Sequence, residues 1–130
     1  MNKRTIAYWT VTGLVAFAFL SGGVMDLAHA PNVMEGMRHL GYPTYFATIL
    51  GFWKVAGALA IVAPKLGRVK EWAYAGMFFD LTGAAASHAS MGDATGKVMT
   101  PVVLAGLLVA SYLLRDARVT RDRRAIAPAA

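Results

Sequence analysis

A lysine, an aspartate and a histidine stand inside apolar stretches: Lys54 within residues 44–63, and Asp80 and His88 within residues 71–90. Each stretch is long enough to cross a bilayer, which takes roughly 20 apolar residues at a rise of ~1.5 Å. The connection between them, residues 63–70, has Gly67 near its centre, and Lys54 and Asp80 each lie thirteen residues from it. The two should therefore sit at similar depth. A lone charge in hydrocarbon costs at least ~2.5–3.5 kcal/mol, and a facing partner offsets much of that. Lys54 and Asp80 are thus expected to face each other inside a helical bundle. The functional reading makes Lys54 the cation for an anionic or carbonyl-bearing ligand and Asp80 its counter-ion or a proton carrier. The structural reading makes them an ion pair that fixes helix register.

Asp80, Ala84, Ser87 and His88 fall on one helical face, with Gly76 one turn before them. Ala47, Gly51, Lys54 and Ala58 form a similar small and polar stripe on the preceding segment. Small residues let another backbone approach, so the two stripes are expected to meet around Lys54 and Asp80. Asp26 and His29, spaced i and i+3, end the first apolar segment at the same side as His88. This gives a candidate ligand-binding set of Lys54, Asp80, Ser87, His88, Asp26 and His29. No HExxH or CxxCH motif accompanies the histidines, so neither a metal nor haem is assigned to them. Glu35, Arg38 and His39 read as solvated loop residues. Phe52-Trp53 and Met77-Phe78-Phe79 either pack on a flat hydrophobic ligand or face lipid.

The elements that must hold these residues follow from composition. The chain has 130 residues, 57% of them hydrophobic and 15% charged, and a mean hydropathy of +0.48. Soluble domains carry roughly a quarter charged residues, so an integral membrane protein is expected. With no cysteine, the chain offers no disulfide, thiol exchange or thiolate metal site, and redox chemistry would need a bound cofactor. The net charge of +6 comes from basic residues at segment ends and lacks the interleaved aromatics of a nucleic-acid groove, so nucleic acid is excluded as a partner.

Four spans are predicted at about residues 5–25, 44–63, 71–90 and 98–114, giving an all-α, antiparallel four-transmembrane-helix bundle. Lys3, Arg4, an apolar run and Ala28-His29-Ala30 imitate a signal peptide. The run is longer than a signal core of ~7–15 residues, and Pro31 follows the motif, so it reads as an uncleaved first helix. Residues 34–40 suggest a short interfacial helix. Gly106 and Ala110 form a small-xxx-small pair that permits close packing within or between protomers. Lys3, Arg4, Lys65, Arg68, Lys70 and the five arginines from Arg115 to Arg124 share one side, against only Arg38 and Lys97 on the other. The positive-inside rule then makes both termini cytoplasmic. One domain, residues 1–115, is followed by a basic tail, 116–130, expected to fray.

Leu40-Gly41-Tyr42-Pro43, Gly51-Phe52-Trp53-Lys54 with Gly57-Ala58, the run from Lys70 to Gly76, and Gly83-Ala84 with Ser87-His88 and Gly92-Asp93 resemble the DoxX-like family of small membrane proteins. The resemblance implies a four-helix membrane bundle with cytoplasmic termini in the inner membrane. The family takes its name from a small subunit of a thiosulfate:quinone oxidoreductase, and other relatives are linked to redox-stress complexes or to membrane-protein assembly. A quinone is therefore the candidate ligand, and a redox complex the candidate setting. The rivals are a non-enzymatic assembly or stabilising partner and a proton-coupled small-solute transporter using Asp80 and His88. A membrane protein partner or a second copy of the chain fits either of the first two readings.

Overall fold

The computed structural model describes residues 2–128, and of residues 116–122 the backbone alone. Among the described residues the regular structure is helical: α1 (Lys3–Leu27), α2 (Pro31–Leu40), α3 (Tyr45–Val62), α4 (Gly67–Ser90) and α5 (Thr95–Ile126). No charge interrupts α1 between Thr5 and Met25. Asn2 caps its start by accepting a hydrogen bond from the Thr5 amide at 2.9 Å, which satisfies one of the amides orphaned at a helix N-terminus.

The turns explain where each helix stops. His29 takes a left-handed φ of 51°, and Pro31 opens α2, where its missing N–H is no loss. Ala28-His29-Ala30 is thus the reversal between α1 and α2. Gly41, at φ 81°, closes α2, and the Tyr42 amide returns to the Met37 carbonyl at 2.9 Å. Pro64 follows α3, and Lys65 and Gly67, both at positive φ, turn the chain into α4.

Boundaries differ from expectation at the starts of α2, α4 and α5, the last beginning at Thr95, and at the end of α5. α2 begins at Pro31 and α4 at Gly67, each a few residues early, because both are started by turn residues and not by the first apolar residue. α5 continues past the expected span end to Ile126, so the helix carries into the basic tail, while residues 129–130 lie outside the described residues.

Among the described residues, three helices are long and apolar enough to cross a membrane: Lys3–Leu27, Tyr45–Val62 and Thr95–Arg115. α4 has the length, 24 residues, but not the apolar character. Asp80, His88 and the glycine, serine and threonine residues of α4 dilute its hydrophobic ones. Large apolar side chains are displayed outward, with Phe17 72% and Phe79 70% exposed. The interior includes Thr12, Asp26 and Ser111, all buried. That distribution suits a bundle whose solvent is hydrocarbon.

The four long helices pack in a ring. α1 lies against α3 and α5, and α4 against α5 and α3, each neighbour antiparallel, with Val15, Phe19, Ala58, Ile61, Met77 and Leu108 in the shared core. The α1–α3 contact is the closest. A Cβ on Gly51 would stand 2.8 Å from the Gly23 carbonyl oxygen, and one on Gly23 would stand 3.0 Å from the Gly51 carbonyl oxygen. Only a pair of glycines allows this approach, and it makes dense backbone packing where lipid offers no hydrophobic drive. A Cβ added to Gly106 would meet nothing within 4 Å, so the Gly106 and Ala110 pair makes no comparable contact within the protomer.

At the basic end a buried hydroxyl network joins α1, α4 and α5. Ser111 Oγ lies 2.6 Å from Thr12 Oγ1 and 2.8 Å from the Tyr74 hydroxyl. Below it the Arg115 guanidinium donates to Glu71 and sits 6.0 Å from the centre of the Tyr74 ring.

Candidate ligand-binding site

The Gly23–Gly51 contact sets the position of the charged residues. Asp26 is three residues after Gly23 and Lys54 three after Gly51, so both project from the same closely packed seam. Lys54 Nζ stands 2.8 Å from Asp26 Oδ2. Lys54 therefore pairs with Asp26 on α1, and the expected direct pairing with Asp80 is not formed. Of the buried stripe Ala47, Gly51 and Ala58, Gly51 makes that α1 contact and Ala58 joins the shared core, while a cavity opens between α3 and α4 at Asp80.

The space between them is a cavity of about 430 Å³. Asp26, Lys54, Asp80, Ser87 and His88 all line it, so five of the six candidate residues converge on one chamber. A second cavity, about 410 Å³, opens between α3 and α4 on the other side of Lys54 and Asp80, which line both. Among the described residues, no cation lies within 4 Å of the Asp80 carboxylate. The chamber thus presents one ammonium already engaged by a carboxylate and a second carboxylate without a contacting counter-ion. Its other walls are mostly apolar, with Phe19, Phe46 and Leu50 among them.

The sixth candidate, His29, stands apart. It is exposed, and its Nε2 lies 2.7 Å from Thr48 Oγ1, tying the turn after α1 to the start of α3. His29 lies beyond the end of α1 with a left-handed backbone, so the i, i+3 relation of a continuous helix does not apply.

Residues not foreseen complete the mouth of the chamber. The Tyr42 hydroxyl and Ser87 Oγ are 2.7 Å apart. Asp93, in the turn between α4 and α5, accepts from two histidines. Its Oδ2 is 2.6 Å from His88 Nδ1, and its Oδ1 is 2.6 Å from His39 Nε2. His39 is therefore hydrogen-bonded to Asp93 and not a simply solvated side chain. The hydrogen bond from His88, then that from His39, hold the Asp93 carboxyl below its ordinary value of 3.8. Gly92-Asp93 is recognisable as a turn in the sequence, yet nothing local marks its carboxylate as the meeting point of α2 and α4. Among the described residues, no three His, Asp or Glu side chains are arranged as a metal-ligand set.

Chemically, the chamber suits a molecule of modest size with an apolar body and one polar end. Volumes of ~300–1,000 Å³ with few polar groups are usual for small-molecule pockets.

Long apolar helices and an apolar exterior around an interior that holds charged side chains define a helical membrane protein. The chain belongs to the DoxX-like family, whose profile matches residues 10–111. It is also similar to the uncharacterized protein YdgD of Bacillus subtilis, with 32% identity over 100 residues that cover 77% of this chain and 87% of that protein. No solved structure matches the chain.

Proposed function

We propose that this protein binds a small, largely apolar molecule in the chamber between α1, α2, α3 and α4, with the polar end of that molecule at Lys54 and Asp80. The observation that carries the reading is the 430 Å³ cavity with both residues on its wall. Maintaining ionisable groups at membrane depth is costly, and such groups mark ligand or ion pathways more often than not. A quinone meets the demand through a ring for the apolar walls and a carbonyl oxygen for a Lys54 N–H not directed at Asp26. Because the chain has no cysteine, electron transfer in this setting belongs to the bound molecule or to a partner subunit. In this reading α4 completes a four-span bundle in the inner membrane, with both termini cytoplasmic under the positive-inside rule.

The test is extraction in mild detergent followed by mass and absorption spectra without added cofactor, then quinone binding to the parent and to Lys54→Ala. A co-purifying small molecule, and weaker quinone binding by the variant, support the proposal. A ligand-free protein whose quinone binding is unchanged in Lys54→Ala sinks it.

One observation favours a second reading. Lys54 pairs with Asp26 at the tightest helix seam, as a register-fixing ion pair would. A protein built for that purpose alone stabilises or assembles other membrane proteins. A stoichiometric membrane partner recovered equally with Lys54 and Asp80 variants would favour this reading over ligand binding. The transporter reading uses Asp80 and His88, and liposome flux lost in Asp80→Asn would support it.

A further inference from the structure

Helix α2 forms one wall of the chamber through Val33, Gly36, Met37 and Leu40. It is only 10 residues long, and its backbone packs principally against α3. On its other flank, toward α4 and α5, the ties are side chains at its C-terminal end. His39 reaches Asp93, Asp93 reaches His88, and Tyr42 reaches Ser87, all between 2.6 and 2.7 Å. The chain turns through positive φ on both sides of α2, at His29 and at Gly41. A short helix of this kind, packed on one neighbour and bounded by two turns, is held in place by few contacts.

We infer that α2 is a lid over the chamber and that the Asp93 carboxylate is its latch, joining His39 on the lid to His88 on the chamber wall. The inference rests on the ligand-binding reading for its purpose and adds how an occupant enters. Each Asp93 oxygen serves one imidazole, so a single carboxylate holds both elements, and hydrogen bonds to an ionised acceptor are the stronger kind. Asp93 is faced by His39 from α2, His88 from α4 and Lys97 from α5. Freed of His39, the lid keeps on this flank, among the hydrogen bonds of the described residues, the Tyr42–Ser87 contact. His88 belongs to both the latch and the chamber lining, which places the latch within reach of an occupant.

The absence of cysteine allows a direct test on the full chain. Ala84 lines the chamber, so Ala84→Cys introduces one thiol there, and its rate of modification by a water-soluble maleimide reads lid opening. Adding Asp93→Ala or His39→Ala is expected to raise that rate about tenfold, the equivalent of ~1.4 kcal/mol in an opening equilibrium. Asp93→Glu should restore the slow rate in part, and Glu35→Ala, on the exposed side of α2, should leave it unchanged. Ala58→Cys in the buried core serves as the control for general loosening. Rates within about twofold of the parent for both latch variants overturn the inference, as does an equal rise at Ala58→Cys. His39 is an exposed side chain, so His39→Ala remains informative if Asp93→Ala fails to fold. The labelling needs no ligand. Loss of quinone binding with latch-dependent labelling intact would overturn the binding proposal alone, and the converse would overturn the lid alone.

Discussion

Lys54 Nζ lies 2.8 Å from Asp26 Oδ2, and this contact spans the seam where Gly23 and Gly51 bring α1 and α3 together. Asp26 Oδ2 is buried and has no hydrogen-bond partner beyond that ion contact, so the lysine is its sole compensation among the described residues. Removing one partner of a buried pair costs ~3–5 kcal/mol, because a charge is left without its counterpart. The Lys54 side chain is 23% exposed, which places the expected cost at or below the lower end of that range. Lys54→Met should therefore lower the melting temperature in detergent. The double variant Lys54→Met with Asp26→Leu should recover much of the loss, and a double variant no better than the single would contradict the pairing.

The glycine seam makes a second, geometric prediction. Gly51→Ala would place its Cβ 2.8 Å from the Gly23 carbonyl oxygen and 2.9 Å from the Leu27 amide nitrogen, atoms of the facing backbone. Backbone cannot rotate aside, so the helices must separate, at a cost of ~1–3 kcal/mol. Gly76→Ala, with nothing within 4 Å, should be neutral or stabilising by ~0.5–1 kcal/mol. Equal stability of the two alanine variants in a denaturation series would show that the seam is looser than described.

Ser111 is the hub of the hydroxyl network, since Thr12 and Tyr74 both bond to it. Ser111→Ala takes one partner from each of two buried hydroxyls, with Tyr8 and Thr12 still beside the Tyr74 hydroxyl, and is expected to cost ~1–3 kcal/mol, more than Tyr74→Phe at ~0.5–1.5 kcal/mol. Thermal unfolding of the two variants side by side gives the order, and a larger loss in Tyr74→Phe would move the hub elsewhere.

The Asp93 latch has a defined pH sign. Its carboxyl titrates below the ordinary 3.8, because His88 and then His39 donate to the ionised form. A depressed carboxylate contributes stability that is complete above its unfolded value and is lost as pH falls through the lower folded value. The melting-temperature gap between parent and Asp93→Asn should accordingly close on acidification from about pH 5 to about pH 2. A gap that widens over that interval would mean that the neutral acid, not the carboxylate, is the bonded form.

How far the sequence reaches is clearest at Lys54. Its depth, shared with Asp80, follows from two apolar segments of similar length about one turn, and both residues do line one chamber. Its partner does not follow, because helix periodicity identifies a face and not the helix that meets it. The choice is made by Gly23 and Gly51, whose mutual contact is a tertiary fact. The same limit hides the hydroxyl network, where Thr12 and Ser111 are 99 residues apart, and the pairing of His39 with Asp93 across 54. His29 misleads for a local reason, since the left-handed turn at that residue breaks the helical spacing that groups it with Asp26. Three apolar spans are legible from hydropathy. α4 is harder to read because the residues that give it chemical interest also make it less apolar.

The hydroxyl network has a mechanical corollary. Thr12, Tyr74 and Ser111 cross-link three helices at one end of the bundle, and the Gly23–Gly51 seam locks α1 to α3 at the other, beside the chamber. The frame is therefore stiff at both ends, and the thinly held α2 is its compliant part. Thermal fluctuations should concentrate there, and amides of α2 should exchange with deuterium long before those flanking Tyr74.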